Sequence, residues 1–284
     1  MDPIGLVKEA KHQLYLGSVR GKRAARNTGY ALYDRLSPYR FDPERYPLSF
    51  VRLNEPACPV PMAAKVPSRI FVVWAGDNEL TPGRRAGLAS IRSTNPDLDI
   101  VLVTPDNLDD YLVAGHPLHP AYQRLSFVHR SDYLQSYLLH HHGGGYTGLK
   151  PHPNPWAAAF SELERDPDAW ILGYRIPTVR EATAIDGPIG RDVHRHYTSL
   201  IGTGGMIARA YSQLTFEWTR EAHRRLDYYG ELLARTPGDA FGGNTGYPLP
   251  WTTLGSQILE PLCLKYLPHV RQNPAVKPQL WGHR

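Results

Sequence analysis

The sequence predicts an α/β fold in which a mostly parallel sheet is flanked by helices. Two apolar runs, 69–74 and 98–103, predict buried strands, and a helical pattern over 82–91 separates them. A second helical pattern over 127–142 runs into three glycines and then into the strand-type residues 146–147. This alternation of strands and helices is typical of a parallel sheet with helices on its faces.

Local signals mark the ends of these elements. Pro82 lies in the first turn of the first helix, and acidic residues come early in a short helix predicted over 107–113. In the helix over 127–142 we expect Ser131 and Asp132 to cap the first turn, because their oxygens accept free backbone N–H groups there.

The second half of the chain predicts an amphipathic helix from residue 213 to about Leu226. Its apolar side carries Leu214 and Trp218. Its other side is predicted to carry Arg220, Glu221, Arg224 and Arg225. The next segment, 238–255, has too many glycines and prolines for a regular element and predicts a loop.

Composition indicates one large domain in a reducing, cytoplasmic setting. A chain of 284 residues can bury a full core. Its two cysteines do not suggest a disulfide framework, and no apolar run is long enough to cross a bilayer or to serve as a signal peptide. The sequence has no phosphate-loop motif and no nucleophile elbow, which disfavours phosphate-loop ATPases and α/β-hydrolases, and its Gly-x-Gly patterns do not continue as a dinucleotide-binding fingerprint.

The basic excess lies at the N-terminus. Residues 1–40 hold eight Lys or Arg and three acidic residues, whereas the remaining chain has 24 of each. We expect residues 1–65 to form a basic helical extension and 66–284 to form the main domain. One interpretation of residues 1–40 is peripheral contact with an anionic membrane, and the other is a helix packed on the main domain. Nothing indicates nucleic-acid binding.

A segment in the middle of the chain carries a resemblance to a known family. Ser131-Asp132 is followed at eleven residues by Gly143-Gly144 and then by an aromatic residue, Tyr146. This pattern resembles the sugar-binding region of glycosyltransferase family 32 and the related capsular polysaccharide synthesis proteins. A strand ending in Trp74, and a Tyr-Pro-Leu-x-Trp-Thr run ending in Thr252, are similar to the same families and come in the same order.

The resemblance implies a GT-A, Rossmann-like domain with a nucleotide-sugar site. It implies that Trp74 stacks on the base beside Ala75 and Gly76, and that Asp132 hydrogen-bonds the ribose or the donor sugar. Tyr146 and the Gly148 backbone would line the donor. Trp251 and Thr252 would belong to a loop that orders over the donor; alternatively, Trp251 pins that loop to the core. Trp74 likewise has the alternative of core packing.

The chain departs from the family pattern at three positions. Gln135 stands where the family has Arg, and Gly148 and Lys150 stand where it has the two acids of a metal-binding Asp-x-Asp. Gln135 retains hydrogen bonds to the sugar but no charge. Lys150 either faces the diphosphate in place of the metal or marks a decayed site. We therefore expect no bound metal, and a donor such as a UDP- or GDP-sugar.

The resemblance thus implies a glycosyltransferase that retains the anomeric configuration, in which Asp132 and Lys150 are the catalytic residues. Its acceptor would be a hydroxyl of a glycan or polysaccharide. The alternative is a catalytically silent homologue that binds a nucleotide, a glycan or a partner protein. The run 140–142 of three histidines does not predict zinc, because consecutive helical residues point in different directions. His152 is either structural or a contact to phosphate or acceptor.

Overall fold

The computed structural model describes residues 18, 21, 22 and 24–279 of the chain. In these residues the strands are β1 (Arg69–Val73), β2 (Asp99–Val103), β3 (Gly144–Thr147), β4 (Ile171–Arg175), β5 (Ile201–Ala208) and β6 (Val270–Gln272). The α-helices are α1 (24–36), α2 (Pro82–Thr94), α3 (Phe127–His141), α4 (Ala157–Arg165), α5 (Gly187–Arg195), α6 (Gln213–Arg235) and α7 (Ser256–Lys265). The short helix predicted over 107–113 is a 3₁₀ helix, Leu108–Tyr111.

The six strands form one mixed sheet in the order β2-β1-β3-β5-β4-β6. Strand β1 is parallel to both β2 and β3, and β4 is parallel to β6. Strand β5 is antiparallel to its neighbours β3 and β4, so the other five strands share one direction. The predicted α/β fold with a mostly parallel sheet is confirmed.

Alternation along β1 divides the core between the two faces of the sheet. Phe71 and Val73 pack with α3 on one face, whereas Ile70 and Val72 pack with α2 and α4 on the other. All four side chains are buried, as the continuous apolar run requires. Helices therefore cover both faces of the centre of the sheet.

Helix α3 spans the predicted segment but begins under a different cap. Ser126 has an extended backbone, and its hydroxyl accepts the N–H of His129. Ser131 lies one turn later and donates to the carbonyl of Phe127. The expectation that Ser131 and Asp132 cap the helix was wrong, because Ser126 already satisfies a free N–H of the first turn. Asp132 therefore does not cap the helix.

Helix α6 is longer than predicted and buries one of its charges. It continues nine residues past Leu226 to Arg235, because Leu233 extends the buried apolar side. Glu221 was expected on the outer side, but it is 7% exposed and pairs with Arg224 and Arg225, each at 2.9 Å. Burial of this carboxylate is tolerated because both pairings are charge-assisted.

The turn from α3 into β3 depends on glycine. Gly143 and Gly144 have φ values of 65° and 86°. A Cβ on Gly144 would lie 2.8 Å from the carbonyl oxygen of Arg69, and one on Gly143 would lie 2.8 Å from the amide nitrogen of Ala210. We call residues 143–145 the glycine corner. Side chains are excluded there by backbone conformation and by space.

The described part of the predicted N-terminal extension packs on the sheet domain. Tyr46 and Val51 are each 1% exposed and belong to the same core as α3. The amide of Ala63 donates to the carbonyl of Ala210 at 3.0 Å. The division at residue 65 stays a prediction. Over the described residues, no helix is both long and apolar enough to span a bilayer.

Replacing a corner glycine is expected to destabilise the protein far more than replacing a helical one. Gly144→Ala would strain a left-handed residue against the Arg69 carbonyl and cost about 2 kcal/mol or more. Gly230→Ala, inside α6 five residues before its end and with open space where the Cβ would project, is expected to stabilise by about 0.5–1 kcal/mol. Urea unfolding of both variants checks this. Equal effects of the two would contradict the role of the corner.

Candidate functional site

The winding of the sheet reverses at β1, which lies between β2 and β3. The connections that leave β1 and enter β3 run over opposite faces, through α2 and α3. The carboxyl ends of both strands therefore meet at one edge, with segments 74–76 and 148–150 beside it. Residues 203–204 at the start of β5 run past the end of β3 at the same edge. Open α/β sheets bind their ligands at such a point.

We call residues 74–76, 148–150 and 203–204 the carboxyl edge. The predicted donor residues Trp74, Ala75, Gly76, Gly148 and Lys150 belong to it, although Gly148 lies 72 positions after Gly76 in the chain. The parallel pairing of β1 with β3 brings them together.

Asp132 projects from the second turn of α3 into this edge. Its carboxyl group lies against Gly255, where an added Cβ would be 3.3 Å from Oδ2. Burial raises the pKa of Asp132 to about 7, and the charge of Lys150 lowers it. The buried Tyr146 phenol is also close: burial raises its pKa, and the negative charge of Asp132 raises it further. Asp132, Tyr146 and Lys150 therefore form one electrostatically coupled group.

A buried chain of hydrogen bonds positions the segment that carries Lys150. The indole N–H of Trp156 donates to His152 Nδ1 at 3.2 Å, so Nε2 carries the proton and donates to Thr147 Oγ1 at 2.7 Å. Thr147 in turn donates to the carbonyl of Gly204 at 2.9 Å. Burial, together with the charge of Lys150, lowers the pKa of His152 to about 4. His152 is thus a neutral structural link, 2% exposed, and not an exposed contact to phosphate.

Helix α2 holds the same segment from the other side. Arg84 Nη1 donates to the carbonyl of Leu149 at 3.0 Å, and Ser90 exchanges hydrogen bonds with the backbone of His152. A Cβ on Gly87 would lie 2.9 Å from the Leu149 carbonyl oxygen. Arg84 was not predicted as a site residue. The sequence signal that pointed to it is a basic residue in the first turn of a helix, where acidic residues are favoured.

Trp74 is half-buried directly after β1. Its indole N–H donates to the carbonyl of Asn78 at 2.7 Å, which fixes the ring within the turn that follows the strand. Ala75 is buried, and Gly76 lies close enough to Phe127 that a Cβ would be 2.9 Å from the ring. This turn therefore contacts the start of α3, four residues before Ser131.

Gln135 lies one turn beyond Asp132 but is directed towards the sheet. It is 1% exposed, and its amide N–H donates to the carbonyl of Thr203 at 2.9 Å. At the position where the resemblance has a sugar-binding Arg, this amide anchors the start of β5 to α3. The sequence contained no signal of this long-range partner.

The segment 238–255 is an irregular loop, as predicted, and it is attached to the start of α3. The Tyr247 hydroxyl accepts the N–H of Ser126 at 3.1 Å, and His129 Nε2 donates to the carbonyl of Pro250 at 3.0 Å. Leu249 is 4% exposed, whereas Trp251 is 55% exposed.

Leu249, not Trp251, therefore pins the loop to the core. The alternative that assigned this anchoring to Trp251 was wrong. Thr252, partly exposed, follows Trp251. Three residues later the loop ends at Gly255, against Asp132.

The residues at the carboxyl edge do not suit a divalent cation. Gly148 has no side chain, and Lys150 supplies an ammonium beside the only carboxylate of the coupled group. Hard cations require several oxygen ligands, and an adjacent ammonium opposes them. Across residues 24–279, no cluster of three or more His, Cys, Asp or Glu side chains has metal-binding geometry.

Of the three consecutive histidines, His140 and His142 have different hydrogen-bonding partners, and the rings of His140 and His141 pack together with centroids 4.7 Å apart. His140 Nδ1 contacts Thr215 Oγ1 at 3.2 Å, and His142 Nε2 donates to the carbonyl of Tyr111 at 2.8 Å. His141 packs on Tyr137 with ring centroids 4.4 Å apart. His140 and His141 line a cavity of about 380 Å³ between α3 and α6. A second cavity, of about 400 Å³, lies along α6, and neither contains Asp132 or Lys150.

Comparison of the chain with protein-family models and with curated proteins finds no match.

The raised pKa of Asp132 predicts a pH-dependent stability difference. Protonation favours the folded state, because the pKa rises from 3.8 to about 7 on folding. This contribution to stability is lost as pH rises through about 7. Asp132→Asn is therefore expected to melt a few degrees above wild type at about pH 8, with the gap narrowing as the pH falls below about 7 and closing near about pH 4.

Thermal melts across this pH range check the effect, and Asp97→Asn, at an exposed position after α2, is the matched control. A gap for Asp132→Asn that does not change with pH would show that packing, not ionisation, causes it.

Proposed function

We propose that this chain is a GT-A-type glycosyltransferase that moves a sugar from a nucleotide-sugar donor to a hydroxyl of a glycan or polysaccharide. The observation that carries the proposal is the coupled pair of Asp132 and Lys150 at the carboxyl edge, where the winding of the sheet reverses. Sugar nucleotides need one group that recognises hydroxyls and another that neutralises phosphate. This pair supplies both.

The nucleoside would lie at the end of β1. Trp74 offers a half-buried aromatic surface, and its indole N–H is already fixed by Asn78. A ring that is held in place loses little conformational entropy when a base stacks on it. Gly76 keeps side-chain bulk away from the start of α3.

The diphosphate would lie along 148–150. Gly148 has open space where a side chain would project, so phosphate oxygens can approach the backbone closely. Lys150 supplies one positive charge, and Arg84 places a second cation on the adjacent α2. Two cations at this position would stabilise the leaving diphosphate without an Asp-x-Asp metal.

In the transfer step, the bond between the anomeric carbon and the diphosphate oxygen breaks, and the nucleoside diphosphate leaves with the electron pair. The acceptor hydroxyl forms the new glycosidic bond and gives its proton to the leaving phosphate or to solvent. Asp132, with a pKa of about 7, accepts a hydrogen bond from a donor hydroxyl and faces the positive charge that develops on the sugar.

The second candidate is a catalytically silent homologue that binds a nucleotide, a glycan or a partner protein. The observation that favours it is Gln135, whose amide N–H is used by the Thr203 carbonyl. Turnover separates the two candidates. Donor hydrolysis or transfer that persists in EDTA and is lost in Lys150→Ala supports metal-independent catalysis, whereas donor binding without turnover across many acceptors favours the silent homologue.

Lys150→Ala is expected to remove most of the stabilisation by the donor. At a free concentration of about 100 times Kd, a cognate UDP- or GDP-sugar would stabilise the wild type by about 2.7 kcal/mol, and the melting temperature would rise accordingly. Because Lys150 supplies charge to the phosphates, this shift is expected to be largely lost in Lys150→Ala and partly kept in Lys150→Arg. A thermal-shift screen with and without Mn²⁺ measures it.

Lys65→Ala is the matched control for this screen. Lys65 is exposed and lies before β1, at the opposite edge of the sheet. Its substitution therefore changes the net charge by the same amount without altering the site. If no nucleotide sugar shifts the wild type under either condition, the donor-site assignment is wrong.

Trp251→Ala is expected to weaken donor binding while leaving stability nearly unchanged. Trp251 is 55% exposed, so its removal costs the free protein little, within about 0.5 kcal/mol. If the 238–255 loop orders over the donor, the donor Kd rises. Tyr228→Ala, at an exposed aromatic on α6, is the control. Unchanged donor affinity in Trp251→Ala, measured by calorimetric titration, would remove Trp251 from the site.

A further inference from the structure

Helix α1 is attached to the body of the protein along one side. Asp34 accepts hydrogen bonds from His196 Nδ1 at 2.6 Å and from Ser199 Oγ at 2.6 Å. The amide of Val179 donates to Asn27 Oδ1 at 3.4 Å. Asn27 and Asp34 lie seven residues apart, so they share one side of the helix. This attached side agrees with the interpretation of a helix packed on the main domain.

The opposite side of α1 is apolar and exposed. Leu32 and Leu36, one turn apart, are 55% and 76% exposed. Arg26 flanks this stripe on one side and Arg35 flanks it on the other, both exposed. Basic residues on both sides of exposed leucines are typical of a helix that lies in the headgroup region of a membrane.

The anchors of α1 place it at the same edge of the sheet as the candidate donor site. Strand β4 runs parallel to β3 in direction, so its end at Arg175 and the nearby Val179 lie at that edge. Residues 196–199 lie just before β5, which begins there. The exposed side of α1 and the carboxyl edge are therefore carried by one rigid sheet.

The charge distribution indicates which kind of partner binds the exposed side of α1. Residues 1–40 carry a net charge of +5, whereas the rest of the chain is balanced. The net positive charge of this segment attracts an anionic surface. Binding of a polyanionic glycan would require only the basic residues and would not explain the exposed leucines. Exposed Leu32 and Leu36 favour a bilayer, because leucine side chains gain free energy on leaving water.

We propose that α1 binds the surface of an anionic phospholipid membrane through Leu32 and Leu36, with its basic residues on the headgroups. Binding in this way holds the carboxyl edge near the membrane, where a lipid-linked acceptor would be presented. Only this second step rests on the proposed function; membrane binding itself does not require that the chain transfers sugars.

Flotation of the full chain with vesicles tests the proposal. Wild-type protein is expected to bind phosphatidylcholine vesicles that contain about one third phosphatidylglycerol, to bind pure phosphatidylcholine weakly, and to dissociate at high salt. Leu32→Gln with Leu36→Gln is expected to weaken binding at least about tenfold. The matched control is Tyr228→Gln with Leu232→Gln, an equally spaced exposed pair on α6 that should bind as wild type.

Two outcomes would overturn the proposal. One is wild-type protein that does not float with anionic vesicles. The other is that the leucine variants float as well as wild type. If wild type and the leucine variants are then also retained on an anionic polysaccharide column, the surface binds glycans. Melting curves of the variants exclude unfolding as the cause of lost binding. Donor thermal shifts of the leucine variants, expected to equal those of wild type, keep this test separate from that of the proposed function.

Discussion

The glycine corner between α3 and β3 is the constraint on which the rest of the structure depends. Strand β3 lies in the centre of the sheet, buried on both faces between β1 and β5. Its entry brings the chain against the backbone at Arg69 and Ala210 with no room for a side chain. Because α3 ends and β3 begins within a few residues, the corner fixes both the helix that carries Asp132 and the strand that leads to Lys150.

Buried hydrogen bonds hold the carboxyl edge in place. Thr147, His152 and Trp156 form a buried chain in which each donor has an acceptor, and it ends on β5. Such networks specify one arrangement, because any displacement leaves a buried polar group unsatisfied. Lys150 therefore projects from a fixed segment. A cation held in this way stabilises developing negative charge without the cost of reorganising its surroundings.

The same edge joins two kinds of charge. Asp132 and Lys150 are coupled in the centre of the sheet, and each shifts the electrostatics of its neighbours. Further along, α1 is attached to the sheet domain through Asp34, and basic residues flank its opposite, exposed side. In the proposed glycosyltransferase, Asp132 and Lys150 supply the chemistry, and α1 orients the site relative to the membrane. One sheet carries both.

Local signals allowed the sequence to determine the α/β class, the extent of α3, the glycine corner and the irregular loop at 238–255. Each depends on residues within a few positions of one another, where periodicity and backbone freedom act. Even so, the cap of α3 was misassigned, because Ser126 and Ser131 both suit it. Only the tertiary structure decided the antiparallel direction of β5, the partner of Gln135 and the contact of Gly255 with Asp132. These join residues far apart in the chain, and their geometry is set by packing across the sheet, which no local pattern encodes.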